Sequence, residues 1–182
     1  MEVVKLQKKA INKATEFLKN GGIAVFPTDT VYGFLAIATN KKATAKIYKI
    51  KKRPKSKPLA IFVKDFKMAK EMAEISKEQE KILKKKWPGN YTFVLNIKNS
   101  KGTIALRIPK YKPLNDLLKK VNEPLAQTSV NISGKPVLSK IEEIKNTFSK
   151  KDILIIDAGN LPKRKPSMII DLIKDKVKIL RK

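Results

Sequence analysis

The sequence predicts an α/β protein of the α+β kind, a mixed sheet with helices packed on it. Three observations lead there. Short apolar runs of strand length interleave with segments whose apolar residues recur at helical spacing. Several strand-like runs follow one another with no helix between them, which argues against a strictly doubly wound parallel sheet. Pro27, Pro54, Pro58, Pro88, Pro109, Pro124, Pro136 and Pro166 all flank apolar runs, at element edges where a missing N–H is tolerated. A chain of 182 residues suits one domain, residues 1–182, with enough length to bury a real core.

The elements follow in order. Ala10, Ala14, Phe17 and Leu18 recur at helical spacing, and Gly21-Gly22 supplies the stop. Ile23 to Phe26 reads as a buried strand ended by Pro27, and Gly33 to Ala38 as a second. Ala43 to Lys51 is helical and closed by Pro54, and Leu59 to Val63 is the next strand. Ser76 with Gln79 three residues on forms a capping box that opens a helix to about Lys86. Trp87-Pro88-Gly89-Asn90 is a turn before two strands, Tyr91 to Ile97 and Thr103 to Ile108. A helix over Asn115 to Val121, a strand over Leu125 to Ser129 and a helix over Ile141 to Phe148 come next. Ile153 to Asp157, Ser167 to Leu172 and Val177 to Leu180 close the chain as strands, the last two as a hairpin across Lys174-Asp175-Lys176.

Composition narrows the chemistry. The chain has no cysteine and no histidine, which excludes disulfides, thiolate metal sites, cysteine nucleophiles and the commonest general base. Ser129 is therefore a poor hydrolytic nucleophile, with no imidazole to activate it. No stretch approaches the roughly 20 apolar residues that span a bilayer. The Met1 to Ala10 segment is charged and lacks the apolar core of a secretory signal. A soluble, cytoplasmic protein with no membrane partner is expected. The 42 Lys and Arg against 16 Asp and Glu give a formal net charge of +26, a field that attracts polyanions. The alternative is compositional bias, since the excess is mostly Lys spread along the whole chain. The four arginines, Arg53, Arg107, Arg164 and Arg181, stand out against that background, because a planar fork suits phosphate and carboxylate as Lys does not.

There is no Walker lysine loop and no G-x-G-x-x-G, so a nucleotide enzyme built on this chain needs another phosphate grip. Three polar clusters follow apolar runs, where ligands collect in α/β proteins. Pro27-Thr28-Asp29-Thr30-Val31-Tyr32-Gly33 offers hydroxyls and a carboxylate to a small zwitterion; the alternative is a capped turn between strands. Lys51-Lys52-Arg53-Pro54 through Pro58-Leu59 combines cations with a rigid exit and could clamp a phosphate. Its alternative, a basic turn complementing a helix dipole, weighs more on Lys51 than on Arg53. Gln127-Thr128-Ser129-Val130-Asn131-Ile132-Ser133-Gly134 offers hydroxyls, an amide and backbone N–H groups to an anion.

Together these clusters resemble the YrdC-like threonylcarbamoyl-adenylate synthases. Pro27 to Gly33 resembles that family's P-T-[DE]-T-V-Y-G, and Lys51 to Leu59 its K-x-R-P-x-x-x-P-L. Trp87-Pro88-Gly89 with Thr92 is similar to [WY]-P-G-[PA]-x-T, and Thr103 to Pro109 to T-x-x-x-R-x-P. Ser129 to Gly134 is similar to S-A-N-x-S-G, Ser167 to Asp171 to S-T-[IV]-[IV]-D, and Leu180-Arg181 to the closing [IL]-x-R. The seven matches run in family order. The chain departs at Phe62, where a His or another polar residue is frequent, at Met168 in place of Thr, and at Gln127 and Val137, where small or hydroxyl residues are frequent.

The resemblance implies a twisted mixed sheet around a large basic concave face. It implies a synthase that condenses L-threonine, bicarbonate and ATP to threonylcarbamoyl-AMP with release of pyrophosphate, for threonylcarbamoyladenosine formation in tRNA. On that resemblance Lys51 and Arg53 are the catalytic cations, and Thr30, Thr103 and Arg107 hold threonine or the nascent carbamate. Lys51, Arg53, Ser129, Asn131 and Arg181 hold the ATP phosphates and bicarbonate. Mg2+ is expected with the ATP, held by phosphates and water. The implied partners are proteins that pass the threonylcarbamoyl group onward, with tRNA or double-stranded RNA bound weakly. The end at Lys182 gives the expectation that the extra C-terminal domain of longer family members is absent. The alternative function is a double-stranded RNA or tRNA binder of the same fold without synthase activity.

Overall fold

The computed structural model describes residues 1–173 and 177–181. One ten-stranded sheet carries six helices, in the chain order β1 (Glu2–Lys5), α1 (Lys8–Lys19), β2 (Ala24–Phe26), β3 (Gly33–Ile37), α2 (Lys41–Lys51), β4 (Ala60–Phe62), α3 (Phe66–Met72), α4 (Lys77–Lys86), β5 (Tyr91–Asn96), β6 (Thr103–Arg107), α5 (Lys112–Val121), β7 (Leu125–Ser129), α6 (Ile141–Phe148), β8 (Leu154–Asp157), β9 (Met168–Asp171) and β10 (Lys178–Arg181). Across the sheet the strands run β1-β8-β2-β3-β7-β4-β6-β5-β9-β10. The pairs β1/β8, β2/β8, β4/β6 and β5/β9 are parallel and the rest antiparallel, so the sheet is mixed as the adjacent strands required.

Alternation along the strands decides which layer each side chain enters. Phe26, Leu35, Phe62, Leu125, Leu154 and Ile156 face one side and pack beneath α1 and α5. Val25, Phe34, Ala36, Ala126 and Ile155 face the other, beneath α2 and α6. On that second side Phe93, Leu95, Leu106 and Ile170 continue the core under α3, α4 and Trp87. The second face is thus covered from β8 to β9, with the edge strands β1 and β10 left largely exposed. On the first face α1 and α5 cover β8, β2, β3, the start of β7 and Phe62 of β4, and a cavity opens over the rest of that face, from the end of β7 across β4, β6, β5, β9 and β10.

The connection from β8 to β9 crosses above that open half. It joins the second strand of the sheet to the ninth. Seven inter-strand spacings of about 4.8 Å amount to about 34 Å on a flat sheet. Residues 158–167 reach only about 35–40 Å when extended. This strap therefore has little slack and runs over the strand ends. It is tied down where Leu161 N donates to Ser139 O, where Tyr32 Oη donates to Gly159 O and accepts from Ala158 N, and where Met168 N donates to Asn90 O.

Two elements go beyond the expected set. β1 is an edge strand whose residues are largely exposed, paired only with β8. α3 begins at an Asp65 cap whose carboxylate accepts Met68 N at 2.8 Å. The expected helix over Asn115 to Val121 starts earlier, at Lys112, because Pro113 fits the first turn, where its missing N–H has no partner to lose. The capping box of α4 is present as expected. β9 and β10 pair antiparallel as expected, while the residues 174–176 of the anticipated turn lie outside the described residues. Among the described residues no helix is long and apolar enough to cross a membrane.

Candidate active site

The turn after β2 is built by one hydroxyl. Thr28 Oγ1 accepts the N–H groups of Thr30 at 3.0 Å and Val31 at 3.2 Å, and it approaches Val31 O at 2.7 Å and Thr30 Oγ1 at 3.0 Å. The capped-turn alternative is therefore correct as local structure, and the turn also presents groups to the open half of the sheet. Asp29 Oδ1 accepts Arg107 Nη2 at 2.5 Å, its Oδ2 accepts Lys110 N at 3.1 Å, and its carbonyl accepts Arg164 Nη1 from the strap at 3.0 Å. Tyr32 turns back into the core, where burial pushes its hydroxyl up to about 12.

Arg107 ends β6 with 2% of its surface exposed. Its Nε donates to Gly89 O at 2.9 Å, its Nη1 reaches Thr30 Oγ1 at 3.5 Å, and its guanidinium carbon lies 5.6 Å from the centre of the Phe62 ring. Phe62, one of the family departures, is thus an apolar seat beneath the arginine. Burial lowers the Arg107 pKa, opposed by the charge and hydrogen bond of Asp29. Carboxylate, backbone carbonyl and ring together fix the guanidinium and leave N–H groups facing Thr30.

Lys51 closes α2 with 1% exposure, and its ammonium reaches back into the protein. It donates to Ser129 O at 2.5 Å, Asn131 O at 2.9 Å and Asn131 Oδ1 at 2.8 Å, which engages all three of its protons. Asn131 is likewise complete. Its Oδ1 also accepts Ser129 Oγ at 2.8 Å, and its Nδ2 donates to Ile132 O at 2.9 Å and Lys135 O at 2.7 Å. Burial, followed by the nearby Arg53 charge, lowers the Lys51 pKa to about 8, while its three oxygen acceptors favour the ammonium at neutral pH. The helix-dipole alternative does not hold for Lys51, because its charge binds the β7–α6 loop rather than the end of its own helix.

Arg53 folds over its own loop, with Nε donating to Lys57 O at 2.8 Å and Nη2 to Pro58 O at 2.9 Å. Arg181 arrives from the far edge of the sheet. A register shift between Ile179 and Arg181 places two residues of β10 against one step of β9, which re-aims the side chain. Its Nε and Nη2 donate to Ser167 O at 3.0 and 2.7 Å, and Ser167 Oγ lies 2.8 Å from Thr92 Oγ1. Burial lowers the Arg181 pKa, and so do the charges of Arg107 and Arg53, which marks three guanidiniums facing one space.

That space is a cavity of about 380 Å³. Of the residues expected at the site, Thr30, Arg53, Arg107, Ser129 and Arg181 line it. Lys51 and Asn131 stand behind its wall. Thr103 is exposed at the start of β6, on the same face as Ala105 and Arg107 but outside the cavity lining. Among the described residues the lining holds four cations, Arg53, Lys57, Arg107 and Arg181, and no carboxylate. A wider cavity of about 630 Å³ under the strap adjoins it through Thr30 and Pro166. Thr92 and Ser167 are site groups to which sequence reasoning gave no role, although both stood inside the quoted motifs. The Asp29 carboxylate, offered by the sequence to a small zwitterion, instead holds Arg107, and Gln127, which opens the third polar cluster and was marked as a departure, lines the cavity.

Residues 16–182 match the family Sua5/YciO/YrdC, described as telomere recombination. The chain is 37% identical over its full length to a putative threonylcarbamoyl-AMP synthase of Methanocaldococcus jannaschii, of which it covers 91%. It superimposes with a TM-score of 0.90 on Pyrococcus abyssi Sua5 complexed with L-threonine, at 32% identity over 99% of this chain. It spans 56% of the length of that Pyrococcus chain. Escherichia coli YciO also gives a TM-score of 0.90, at 28% identity, over 100% of this chain and 94% of that one.

Proposed function

The chain belongs to the Sua5/YciO/YrdC family, and from that premise we propose that it is an L-threonylcarbamoyladenylate synthase, a nucleotidyltransferase acting on L-threonine, bicarbonate and ATP. The observation that carries the proposal is a cavity, free of acidic side chains among the described residues, in which Arg107 and Thr30 stand at one end while Arg53, Ser129 and Arg181 converge from the sides. Relatives named threonylcarbamoyl-AMP synthase and a neighbour complexed with L-threonine support the same substrate.

The roles follow from charge and reach. Arg107, held rigid by Asp29, binds the threonine carboxylate, and Thr30 adds a hydroxyl beside it. The neutral threonine amine attacks the bicarbonate carbon; water leaves and a carbamate remains. A carbamate oxygen then attacks the α-phosphorus of ATP, and the bond to the pyrophosphate oxygen breaks. Arg53 and Arg181 stabilise the charge that develops on the phosphates, and the Ser129 hydroxyl can turn from Asn131 toward them. Lys51 and Asn131 act through Ser129 by fixing the loop that carries it. No histidine is needed at any step. Mg2+ would enter with the triphosphate, held by phosphate oxygens and water. Among the described residues the cavity lining supplies no carboxylate for it, and no acidic cluster able to hold a metal is found.

The protein with all three substrates and Mg2+ is expected to release pyrophosphate and form threonylcarbamoyl-AMP without tRNA. Omitting either threonine or bicarbonate should abolish release, and Arg53→Ala should slow it about a hundredfold, the usual effect of removing a donor to a developing anion. Pyrophosphate release at background level with all substrates present would sink the synthase assignment. The net charge of +26 favours a second reading, a double-stranded RNA or tRNA binder without synthase activity, and that result would favour it.

A further inference from the structure

We infer that Gln127 is a specificity-determining contact for the bicarbonate-derived carbamate. The inference rests on the synthase reading and deepens it. It begins from the register of the cavity floor. Leu125, Gln127 and Ser129 alternate on one face of β7. Leu125 pairs with Phe62, which pairs in turn with Arg107, so these three form one row across the sheet. Gln127 pairs with Ala60, one step from the Ile61–Leu106 pair, which places Ala105 next in its row. Ser129 pairs with Gly33 one row further on. Rows on one face are two residues apart, about 6.6 Å. Gln127 therefore stands midway between the level of the carboxylate anchor Arg107 and that of the phosphate-side residue Ser129.

On the β3 side Gln127 pairs with the buried Leu35, but on the other side its row is small: Ala60 and Ala105 leave the floor open there, and Gln127 is the polar side chain of that row that lines the cavity. Arg53, Arg107, Ser129 and Arg181 of the lining are tied to protein: Arg53 to Lys57 and Pro58, Arg107 to Asp29 and Gly89, Ser129 to Asn131, Arg181 to Ser167. Among the described residues the Gln127 amide has no such partner, and its Oε1 stands over Gly33, where the absent side chain leaves room.

The chemistry of the middle position fits an amide. The carbamate carbon lies between the threonine carboxylate and the α-phosphorus, so a molecule anchored at both ends carries its N–CO2 group across this row. A carbamate presents an N–H donor and anionic oxygens. A primary amide offers the complement, an acceptor oxygen and two N–H donors. A small apolar residue here would leave this segment without a side-chain contact.

The test uses Gln127→Met, which keeps the volume and removes the amide, and Gln127→Glu, which keeps the shape and sets a negative charge against the carbamate. Pyrophosphate release gives KM for each substrate, calorimetry gives the threonine dissociation constant without bicarbonate, and thermal melts report folding. We expect the KM for bicarbonate to rise about tenfold or more in Gln127→Met and further in Gln127→Glu, as for loss of a hydrogen bond to a charged group. Threonine affinity should change less than about twofold. A bicarbonate KM that stays within twofold of wild type in a folded variant overturns the inference, as does an equal rise for all three substrates, the mark of a merely structural role. If wild type itself releases no pyrophosphate, the synthase reading fails and this inference falls with it.

Discussion

Lys51 and Arg53 stand two residues apart, yet one is sealed in the protein and the other lines the cavity. Their motif names both without separating them, because a sequence pattern cannot distinguish the residue that touches a ligand from the residue that holds the toucher. That distinction depends on whether a side chain meets three acceptors or open space, a property of strands and loops far apart in sequence. The Lys51 ammonium, lowered by burial to about 8, makes the difference measurable. The neutral amine has two donors and a lone pair, and the lone pair faces an oxygen, so one of the ties to Ser129 and Asn131 is lost. Affinity for ATP, measured by calorimetry without threonine, should weaken severalfold between pH 7 and pH 9. Stability moves the other way. A lysine whose folded pKa lies below its unfolded value of 10.5 binds fewer protons folded than unfolded between about 8 and 10.5. Its contribution to folding therefore becomes more favourable as pH rises through that window. A flat ATP profile would mean that the β7–α6 loop does not depend on the Lys51 charge.

At the scale of elements, legibility followed burial. β2, β3 and β8 are apolar because both faces of these strands are covered, and such runs show in a sequence. β1 does not show, since an exposed edge strand has no need of apolar alternation, and Glu2–Lys5 reads as a charged terminus. α3 left a trace in Asp65, a capping residue just before a helical pattern of Phe66, Ala69 and Met72, but seven residues give periodicity little length to declare itself. α4 was legible from its capping box alone, and that reading gives a local test. Ser76 accepts Gln79 N at 3.2 Å, and Gln79 Oε1 accepts Ser76 N at 2.9 Å. Ser76→Ala should cost about 1 kcal/mol, which in a chain of this size lowers the melting temperature by about 2–4 °C. The helix packs on the covered face of the sheet, away from the cavity, so pyrophosphate release at 25 °C should stay at the wild-type rate. A variant with intact stability would show the cap to be redundant, and a slower enzyme would show coupling through the sheet.

Over the whole molecule, the parts of the site run from Thr30 in the first fifth of the chain to Arg181 near its end, and the sheet order brings them together. Motif order along the chain identified the family; it could not show that β7 and β6 flank the short β4, or that a bulge turns Arg181 inward. The charge of +26 acts at this scale too. The lysines are spread over the surface, whereas the cavity cations are three fixed guanidiniums and Lys57. These two populations should answer salt differently. Surface lysines that neutralise several phosphates of an RNA release counterions, and such binding weakens about a thousandfold or more between low and moderate salt. Threonine meets few charges in an enclosed space, where screening over a Debye length of about 8 Å at physiological ionic strength matters less. A titration from 50 to 300 mM salt, following tRNA binding by fluorescence anisotropy and threonine binding by calorimetry, should therefore show a steep slope for the first and a shallow one for the second. Mixed tRNA and an unrelated double-stranded RNA should bind alike, because a diffuse lysine field reads phosphate and carries no base-reading geometry. If one tRNA still binds tightly at 300 mM salt while the others are released, the surface holds a shaped recognition site, and the excess of lysine serves RNA binding rather than compositional bias.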